Sequence, residues 1–288
     1  MKVRKAMFAG SWYPDRAAAC EKEIKQFLKE TASQRILLDD ITGGIVPHAA
    51  WYFSGAIACN VIRCLKAERS PDVIVVLGMH LRSDSPVYLI TEDLWETPFG
   101  EIGIERELSG ELIKKFSFNI EVLDHFIQDN TIELQLPFIK YFFPDTKIIP
   151  IGVPPTKSSF EIGSALAEMA VGLGQTVKVI GSTDLTHYGL NYGFTPKGTG
   201  RSAVDWVKTK NDQRVIDAMI AMDPDWVISE AKEHQNACCA GAAATAIVTA
   251  KGFGARKAEA VAYASSYDKN PDSSFVGYVG IVYGDETA

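Results

Sequence analysis

The segment 71–78 constrains the fold most, because it contains five successive branched aliphatic residues. Such uninterrupted apolar runs are typical of strands that are buried on both faces of a parallel sheet, whereas strands with one solvent face alternate apolar and polar residues. Other strand-like runs at 43–47, 119–123, 147–153 and 176–182 are separated by segments with helical spacing. This alternation predicts an α/β fold with a mostly parallel central sheet flanked by helices.

The composition is that of an ordinary globular protein. Of its 288 residues, 47% are hydrophobic and 23% are charged, so the chain can bury a large core. No internal repeat and no linker rich in Pro, Gly or Ser divides the sequence, and we expect one domain over residues 1–288. The formal net charge is −7 and the basic residues are dispersed, which argues against nucleic acid as a partner. The longest uncharged run of small residues, 237–250, is shorter than a membrane-spanning helix, so no membrane partner is expected.

The use of cysteine indicates the cellular compartment. The chain has an odd number of cysteines and no Cys-x-x-Cys motif; the cysteines are Cys20, Cys59, Cys64, Cys238 and Cys239. Such a pattern is typical of free thiols in a reducing environment. We therefore expect a cytoplasmic location.

Two adjacent cysteines stand near the start of a predicted helix. If Asn236 is the N-cap of a helix through residue 250, Cys238 and Cys239 lie in its first turn, where free N–H groups and the helix dipole favour a thiolate. A thiolate is a nucleophile or a metal ligand. Neighbouring helical residues point about 100° apart, so only one of the two thiols should face a given site. The alternative is that both are small hydrophobic residues in an Ala-rich, close-packed face.

Chemically competent side chains follow three of the predicted strands. His48 and His80 each follow one apolar run, and Asp184 and His187 follow a third. The ligand crevice of an open parallel sheet lies beyond the carboxyl ends of its strands, so these residues can converge there. For any single histidine, the alternative is a structural role in which the imidazole caps a strand or bonds a backbone carbonyl.

Two other segments contain candidate pocket residues. The aromatic run of Trp51, Tyr52 and Phe53 comes soon after His48 and could wall a pocket for a planar ligand, although such a run is more often part of a core or of a helix entry. Asn130, with Glu133 three residues later, has the pattern of a capping box. This pattern predicts a helix with Asn130 as its N-cap.

Five short motifs along the chain match one known family in the same order. They are AGSWYP at 9–14, VPHAAWYFSG at 46–55, IELQLPF at 132–138, STDLTHY at 182–188 and VGY at 276–278. In this respect the chain resembles the Memo family, whose prokaryotic members are called AmmeMemoRadiSam system protein B. The resemblance extends over essentially the whole chain.

The resemblance implies a fold shared with the class III extradiol dioxygenases, which hold non-haem iron with two His and one carboxylate. Memo proteins have two His and one Cys at the corresponding place and bind copper or iron. At the matching positions the ligands here are His48, His80 and Cys238, for one copper or iron ion, with zinc as a further candidate. Cys238 is preferred over Cys239 because Cys-x-x-Gly keeps the family spacing. The segment 78–80, Gly-Met-His, is one residue shorter than the family's Gly-Pro-Ser-His.

The resemblance also implies roles for residues around the metal ion. Asp184 and His187 match positions of residues that support the metal ligands or act as catalytic acid/base residues. The alternative for Asp184 is that it caps the segment that begins at Leu185. Asn130 stands where the family usually has a His, and we expect it to line the substrate pocket together with Trp51 and Tyr52.

Two functions are compatible with these features. The first is a metal-dependent redox enzyme, an oxidoreductase of dioxygenase-like ancestry, although a thiolate in place of a carboxylate favours softer ions than those of ring-opening oxygenases. The second is a non-catalytic binding protein whose cleft holds a peptide or a small aromatic ligand. In either case the expected partner is a small molecule or peptide, and the resemblance implies a functional link to AMMECR-like and radical SAM proteins.

Overall fold

The computed structural model of the chain describes residues 2–30, 36–122 and 128–286. The strands in these ranges are β1 (Val3–Arg4), β2 (Leu38–Val46), β3 (Val73–Gly78), β4 (Tyr88–Ile90), β5 (Leu94–Trp95), β6 (Ile102–Gly103), β7 (Asn119–Glu121), β8 (Lys147–Gly152), β9 (Val177–Ser182), β10 (His187–Tyr188), β11 (Lys257–Ser265) and β12 (Phe275–Glu286). The strand predicted over 119–123 begins as expected, and its last residue lies outside the described residues.

The α-helices in the same ranges are α1 (Ala17–Glu30), α2 (Ala56–Cys64), α3 (Glu107–Lys115), α4 (Asn130–Glu133), α5 (Leu136–Phe142), α6 (Lys157–Gly172), α7 (Arg201–Trp206), α8 (Asp212–Ile220), α9 (Pro224–His234), α10 (Ala240–Gly252) and α11 (Ser266–Lys269). Wider π-helical turns cover Trp51–Gly55 and Val207–Asn211, and a 3₁₀ turn covers Leu190–Tyr192. No helix in the described part of the chain is both long and apolar enough to cross a membrane.

The large sheet has the strand order β10-β12-β2-β9-β3-β8-β4-β7, with β11 added beside β12. Its centre is parallel, because β2, β9, β3 and β8 are connected through helices. Towards the edges β12 runs antiparallel to β2, and β4 runs antiparallel to β8. The short connection from β11 to β12 also produces an antiparallel pair. The α/β class and the helix-flanked central sheet are thus confirmed. Among the described strands of this large sheet, the parallel pairs are those of the centre and the β4–β7 pair.

The central strand β3 shows why the sheet is covered on both faces. All six of its residues are buried. Val75 and Leu77 pack into the core cluster that contains residues of α6 and α10, whereas Ile74 and Val76 pack into the cluster that contains residues of α2 and α5. The uninterrupted apolar run at 71–78 therefore corresponds to a strand with helices on both sides.

Close approach of α10 to the sheet depends on small residues. A Cβ atom at Gly181 in β9 would lie 2.6 Å from the backbone oxygen of Ala242 in α10. This contact lets the alanine-rich helix pack directly on the strands, and it brings the residues just before α10 to the carboxyl edge of the sheet.

Candidate metal centre

Three neighbouring strands each deliver one polar side chain to the same edge of the sheet. His48, Asp184 and His80 each lie two residues beyond the end of β2, β9 and β3, respectively. The ring centroids of His48 and His80 are 4.9 Å apart, in an edge-to-face arrangement. The carboxyl edge of the parallel centre thus brings together residues that are far apart in the sequence.

Four side chains at this edge form a cluster of metal-ligand type. One donor atom from each of His48, His80, Cys238 and Cys239 lies within 4.8 Å of the others. His48 and Cys239 are buried, Cys238 is half-buried and His80 is exposed. Two imidazoles and a thiolate are donors that suit copper, zinc and iron.

The imidazole of His48 is held at both ring nitrogens. Nδ1 lies 3.0 Å from the hydroxyl of Ser182, and Nε2 lies 3.3 Å from the sulfur of Cys238. The backbone N–H of His48 donates to Oδ1 of Asp184 at 2.8 Å. Burial alone would lower the pKa of His48, but the negative charges of Asp184 and Cys238 raise it to about 9.

The two adjacent cysteines lie in a turn before α10, not inside the helix. Asn236 is not the N-cap as expected: its buried amide donates to the backbone oxygen of Asn211 at 2.9 Å, and the helix begins at Ala240 after Cys239. Because neither thiol is on a regular helix, the 100° offset argument does not apply, and the two sulfurs are 3.9 Å apart.

The two thiols differ in their protonation. Burial disfavours a thiolate at Cys238, but the hydrogen bond with Cys239 and the adjacent His48 lower the pKa of Cys238 well below its usual range. Burial and the negative charge of Cys238 raise the pKa of Cys239 well above its usual range. Cys238 is therefore the thiolate of the pair and Cys239 the neutral thiol. This difference favours Cys238 as the anionic donor of the cluster.

The position of His80 depends on an unusual backbone conformation. Met79 has a φ of 69°, a left-handed conformation that residues other than glycine rarely adopt. Its N–H donates to the hydroxyl of Thr131 at 2.7 Å, and that hydroxyl donates to Asp129. The left-handed residue lets the shortened segment 78–80 turn the chain immediately after β3.

Asn130 is not the N-cap that the capping-box pattern predicted. Asp129 has that role, and its carboxylate accepts the N–H of Ile132 at 3.1 Å. The carboxylate of Glu133 turns away from the helix start and accepts the N–H of Phe8 at 2.7 Å. The side chain of Asn130 donates to the backbone oxygen of His48 at 3.0 Å, which connects α4 to the donor cluster.

Asp184 and His187 lie beside the cluster. The second carboxylate oxygen of Asp184 is 3.9 Å from Nε2 of His48 and 4.0 Å from Nε2 of His187. Burial raises the pKa of Asp184, although the adjacent His48 opposes this shift. Burial alone would lower the pKa of His187, but Cys238 and Asp184 raise it. Nε2 of His187 has no hydrogen-bond partner among the described residues.

A cavity of about 450 Å³ opens over the donor cluster. Its walls combine aromatic, hydroxyl and amide side chains with the polar groups of the centre. The lining residues are Trp12, His48, Ala49, Ala50, Phe53, His80, Asn130, Asp184, His187, Tyr192, Ser266, Asn270, Asp272, Ser274, Val276 and Tyr278. Its volume is in the range of small-molecule sites.

Two of the three expected pocket residues do not line this cavity. Trp51 is buried in the core, where its ring stacks on Phe138 at a centroid distance of 4.1 Å. Tyr52 faces solvent. In the π-helical turn Trp51–Gly55 it is the next residue, Phe53, that reaches the cavity. Asn130 lines the cavity.

The aromatic walls contain Phe53 of the run at 51–53, together with Trp12 and Tyr192, which the sequence did not single out as pocket residues. Trp12 and Phe53 line the cavity, and Tyr192 packs edge-to-face on His187 with ring centroids 4.9 Å apart. Trp12 and Phe53 both belong to motifs of the resemblance, at 9–14 and 46–55, which was the available signal. Tyr192 belongs to none of these motifs.

Comparison with known proteins shows which proteins the chain is similar to. The family model described as "Memo-like protein" matches residues 4–282. A MEMO1 family protein of Pyrococcus furiosus is 32% identical over 294 residues, which cover 97% of this chain and 98% of the relative. A MEMO1 family protein of Methanococcoides burtonii is 31% identical, with 97% and 99% coverage. The crystal structure of an uncharacterized protein of Escherichia coli K12 covers 85% of this chain and 100% of its own, with 10% identity and a TM-score of 0.49.

The fold and the cluster define an α/β protein with a group of His and Cys side chains, able to hold a metal ion, at the carboxyl edge of its sheet. With a match over nearly its whole length, the chain belongs to the Memo family.

Proposed function

We propose that this protein binds one copper or iron ion through His48, His80 and Cys238 and acts as a metal-dependent oxidoreductase related to the extradiol dioxygenases. One observation carries the proposal: the donor atoms of these side chains lie together beneath a cavity of about 450 Å³. A ligand in that cavity would lie beside His48 and His80, which would hold the metal ion.

The surroundings of the donors fit a metal ion. Ser182 occupies Nδ1 of His48, so Nε2 is the nitrogen available for coordination, and outer partners of this kind fix the orientation of metal-binding imidazoles. The sulfur of Cys238 accepts the N–H of Asp184 at 3.3 Å, which stabilises a thiolate. Thiolate and imidazole donors favour copper, iron or zinc over harder ions.

Copper or iron at this centre would supply electron transfer and open positions for dioxygen or substrate. The chain's own residues would handle the protons. His187 lines the cavity, and its buried Nε2 has no hydrogen-bond partner among the described residues, so this imidazole would exchange a proton with a ligand that enters the cavity. Asp184 lies 4.0 Å from that nitrogen and would stabilise the imidazolium form. Asp184 also accepts the backbone N–H of His48, and it thereby holds a metal ligand in place.

The ligand that we propose is a small molecule or a peptide side chain with a planar group. Trp12, Phe53 and Tyr192 offer aromatic surfaces to the cavity, and Asn130 offers an amide. We also propose a cytoplasmic location, supported by the free state of all five thiols.

The test is metal analysis of protein purified without a chelating tag, followed by titration with copper(I), iron(II) and zinc. We expect one equivalent of metal in the wild type, and a large loss of affinity in His48→Ala and His80→Ala. His234→Ala is the matched control, because His234 lies outside the donor cluster. Absence of metal binding in the wild type, together with binding of aromatic ligands, would identify a metal-free binding protein instead.

The role of His187 has its own test. His187→Gln should keep the metal stoichiometry but reduce oxygen consumption by the copper- or iron-loaded protein in the presence of ascorbate. If oxygen consumption and metal affinity both stay unchanged, His187 has no catalytic role.

A further inference from the structure

We propose that Cys238 and Cys239 form a peroxide-reactive pair, in which Cys238 is oxidised first and Cys239 then closes a disulfide with it. The proposal concerns a modification site of the chain itself. It does not require a bound metal ion. It would, however, remove the thiolate that the proposed function assigns to the metal.

The first observation is the unequal access to the two sulfurs. Cys238 lines a second cavity, of about 370 Å³, whose walls include Leu81, Pro155, Ile228 and Lys232. Cys239 is only 3% exposed and does not line this cavity. A small oxidant such as hydrogen peroxide can therefore reach Cys238 while Cys239 stays protected.

The second observation is the set of hydrogen-bonding groups around the accessible sulfur. The sulfur of Cys238 accepts the backbone N–H of Asp184 at 3.3 Å and lies 3.3 Å from Nε2 of His48. Donors at these positions stabilise negative charge on sulfur and on an oxygen added to it. Because they stabilise the thiolate of Cys238, the same donors favour attack by this thiolate on a peroxide.

The third observation is that the partner thiol is adjacent. The sulfurs of Cys238 and Cys239 are 3.9 Å apart, in a turn that precedes α10. Cys239 has φ −125° and ψ 54°, so it lies outside helical geometry, and closing a ring between the two residues does not break the helix. Cys20, Cys59 and Cys64 pack in the core cluster on the opposite face of the sheet.

The chemistry balances with hydrogen peroxide as the oxidant. The thiolate of Cys238 attacks one peroxide oxygen, the O–O bond breaks, and a sulfenic acid and hydroxide form; the hydroxide takes up a proton to become water. The thiol of Cys239 then loses its proton, and its sulfur attacks the sulfur of Cys238. The S–O bond breaks, water leaves and the disulfide forms. Two thiols are oxidised and one peroxide is reduced to two waters.

A disulfide between neighbouring residues closes an eight-membered ring, and such strained bridges are easily reduced. The modification is therefore reversible by thiols. Without a second thiol, the sulfenic acid would continue to the irreversible sulfinic acid. Cys239 would thus protect Cys238 from permanent loss.

The experiment uses the reduced, metal-free full chain treated with a small excess of hydrogen peroxide. The reaction is quenched with N-ethylmaleimide under denaturing conditions and analysed by peptide mass mapping after trypsin digestion. Cleavage after Lys232 and Lys251 releases both thiols in one peptide, 233–251. We expect this peptide to lose both alkylation sites and the mass of two hydrogen atoms, and dithiothreitol to restore both sites.

Three variants separate the steps. Cys239→Ser should add oxygen atoms to the peptide in place of the disulfide, and Cys238→Ser should leave Cys239 reduced. Cys64→Ser, which removes a half-buried thiol elsewhere, should behave as the wild type. Oxygen addition at Cys238 in the wild type without a disulfide would overturn the proposal, as would oxidation of Cys239 in Cys238→Ser. Because no metal is present in this experiment, a negative result would count against the cysteine pair alone. The metal titrations test the proposed function separately.

Discussion

His48 is the residue on which the donor cluster depends most. Its two ring nitrogens and its backbone N–H are all engaged, by Ser182, Cys238 and Asp184 respectively. A ring held in this way loses little freedom when it binds a metal ion. In the proposed metal centre, the hydroxyl of Ser182 would therefore orient a ligand without being one.

We predict that Ser182→Ala weakens metal binding without removing it. The variant frees Nδ1 of His48, so the imidazole can rotate away from the cluster. Loss of a hydrogen-bond partner that orients a metal ligand costs roughly 10–100-fold in metal affinity. Zinc affinity measured by competition with a chromophoric chelator tests this. Ser229→Ala, which removes an exposed hydroxyl on α9, is the control and should keep the wild-type affinity.

We predict that the two cysteines differ sharply in metal binding. Cys238 has the lowered thiol pKa and lies 3.3 Å from His48, whereas Cys239 stays protonated. Cys238→Ser should therefore lose more than the roughly 10–100-fold that an outer partner costs, and Cys239→Ser should stay within that range. Equal losses of copper(I) or zinc affinity in the two variants would mean that the assignment of Cys238 as ligand is wrong.

We predict that metal affinity rises with pH up to about 9. Burial opposes protonation of His48, but Asp184 and Cys238 raise its pKa to about 9, so below this pH a metal ion must displace a proton from the ring. The apparent affinity should then increase by up to roughly tenfold per pH unit and level off above about pH 9. Cys238 adds little to this slope, because its lowered pKa leaves it ionised already. Zinc affinities that level off near pH 6.5 would contradict the raised pKa.

At the scale of elements, the end of β3 decides where His80 lies. Gly78 is the last residue of the strand, and Met79 then turns with a positive φ while its N–H bonds Thr131. A Cβ atom at Gly78 would lie 2.2 Å from the hydroxyl oxygen of Thr131. The strand end and α4 are thus packed too closely for any side chain at that position.

We predict that Gly78→Ala damages both stability and metal binding. The new methyl group forces β3 and α4 apart, and overpacking of this kind costs about 1–3 kcal/mol of unfolding free energy. His80 should move with the strand end, so zinc affinity should fall as well. Gly110→Ala in α3 is the control, because a Cβ atom there meets nothing within 4 Å, and it should be neutral or stabilising. Chemical denaturation and zinc titration measure both effects.

The elements show what the sequence could predict and where local rules failed. The run at 71–78 predicted β3 because burial on both faces leaves a plain compositional signal. The predicted helix starts were less accurate. The side chain of Asn236 donates a hydrogen bond to Asn211, and that of Glu133 accepts one from Phe8, so both make contacts distant in sequence. Tertiary hydrogen bonds of this kind have no local signature. The closeness of Cys238 and Cys239 in one cluster was missed for the same reason, since the turn before α10 follows from these contacts.

At the scale of the whole molecule, the cavity is assembled from both ends of the chain. Trp12 comes from the N-terminal segment, Asn130 from the middle, and Tyr278 from the last strand. The N-terminal segment is fixed by the buried carboxylate of Glu133, which accepts the N–H of Phe8 at 2.7 Å and the hydroxyl of Tyr13 at 3.0 Å. Sequence alone indicated these segments only through the family motifs. The sequence could not show which side chains of these segments face the cavity. At 51–53, for example, Trp51 packs against Phe138 in the core and it is Phe53 that lines the cavity.

Glu133 therefore couples the N-terminal wall of the cavity to the core. We predict that Glu133→Ala leaves the buried hydroxyl of Tyr13 and the partly buried N–H of Phe8 without an acceptor. The loss costs roughly 1–3 kcal/mol of unfolding free energy for the buried hydroxyl and less for the N–H. Residues 8–13 should then detach, taking Trp12 away from the cavity, while His48 and Cys238 keep their contacts. Glu133→Gln retains one carbonyl acceptor and should lose less. Limited proteolysis and denaturant unfolding report on the segment, and zinc titration reports on the metal centre. A fall in zinc affinity together with the fall in unfolding free energy would contradict this prediction. It would mean that the N-terminal segment supports the donor cluster and not only the cavity wall.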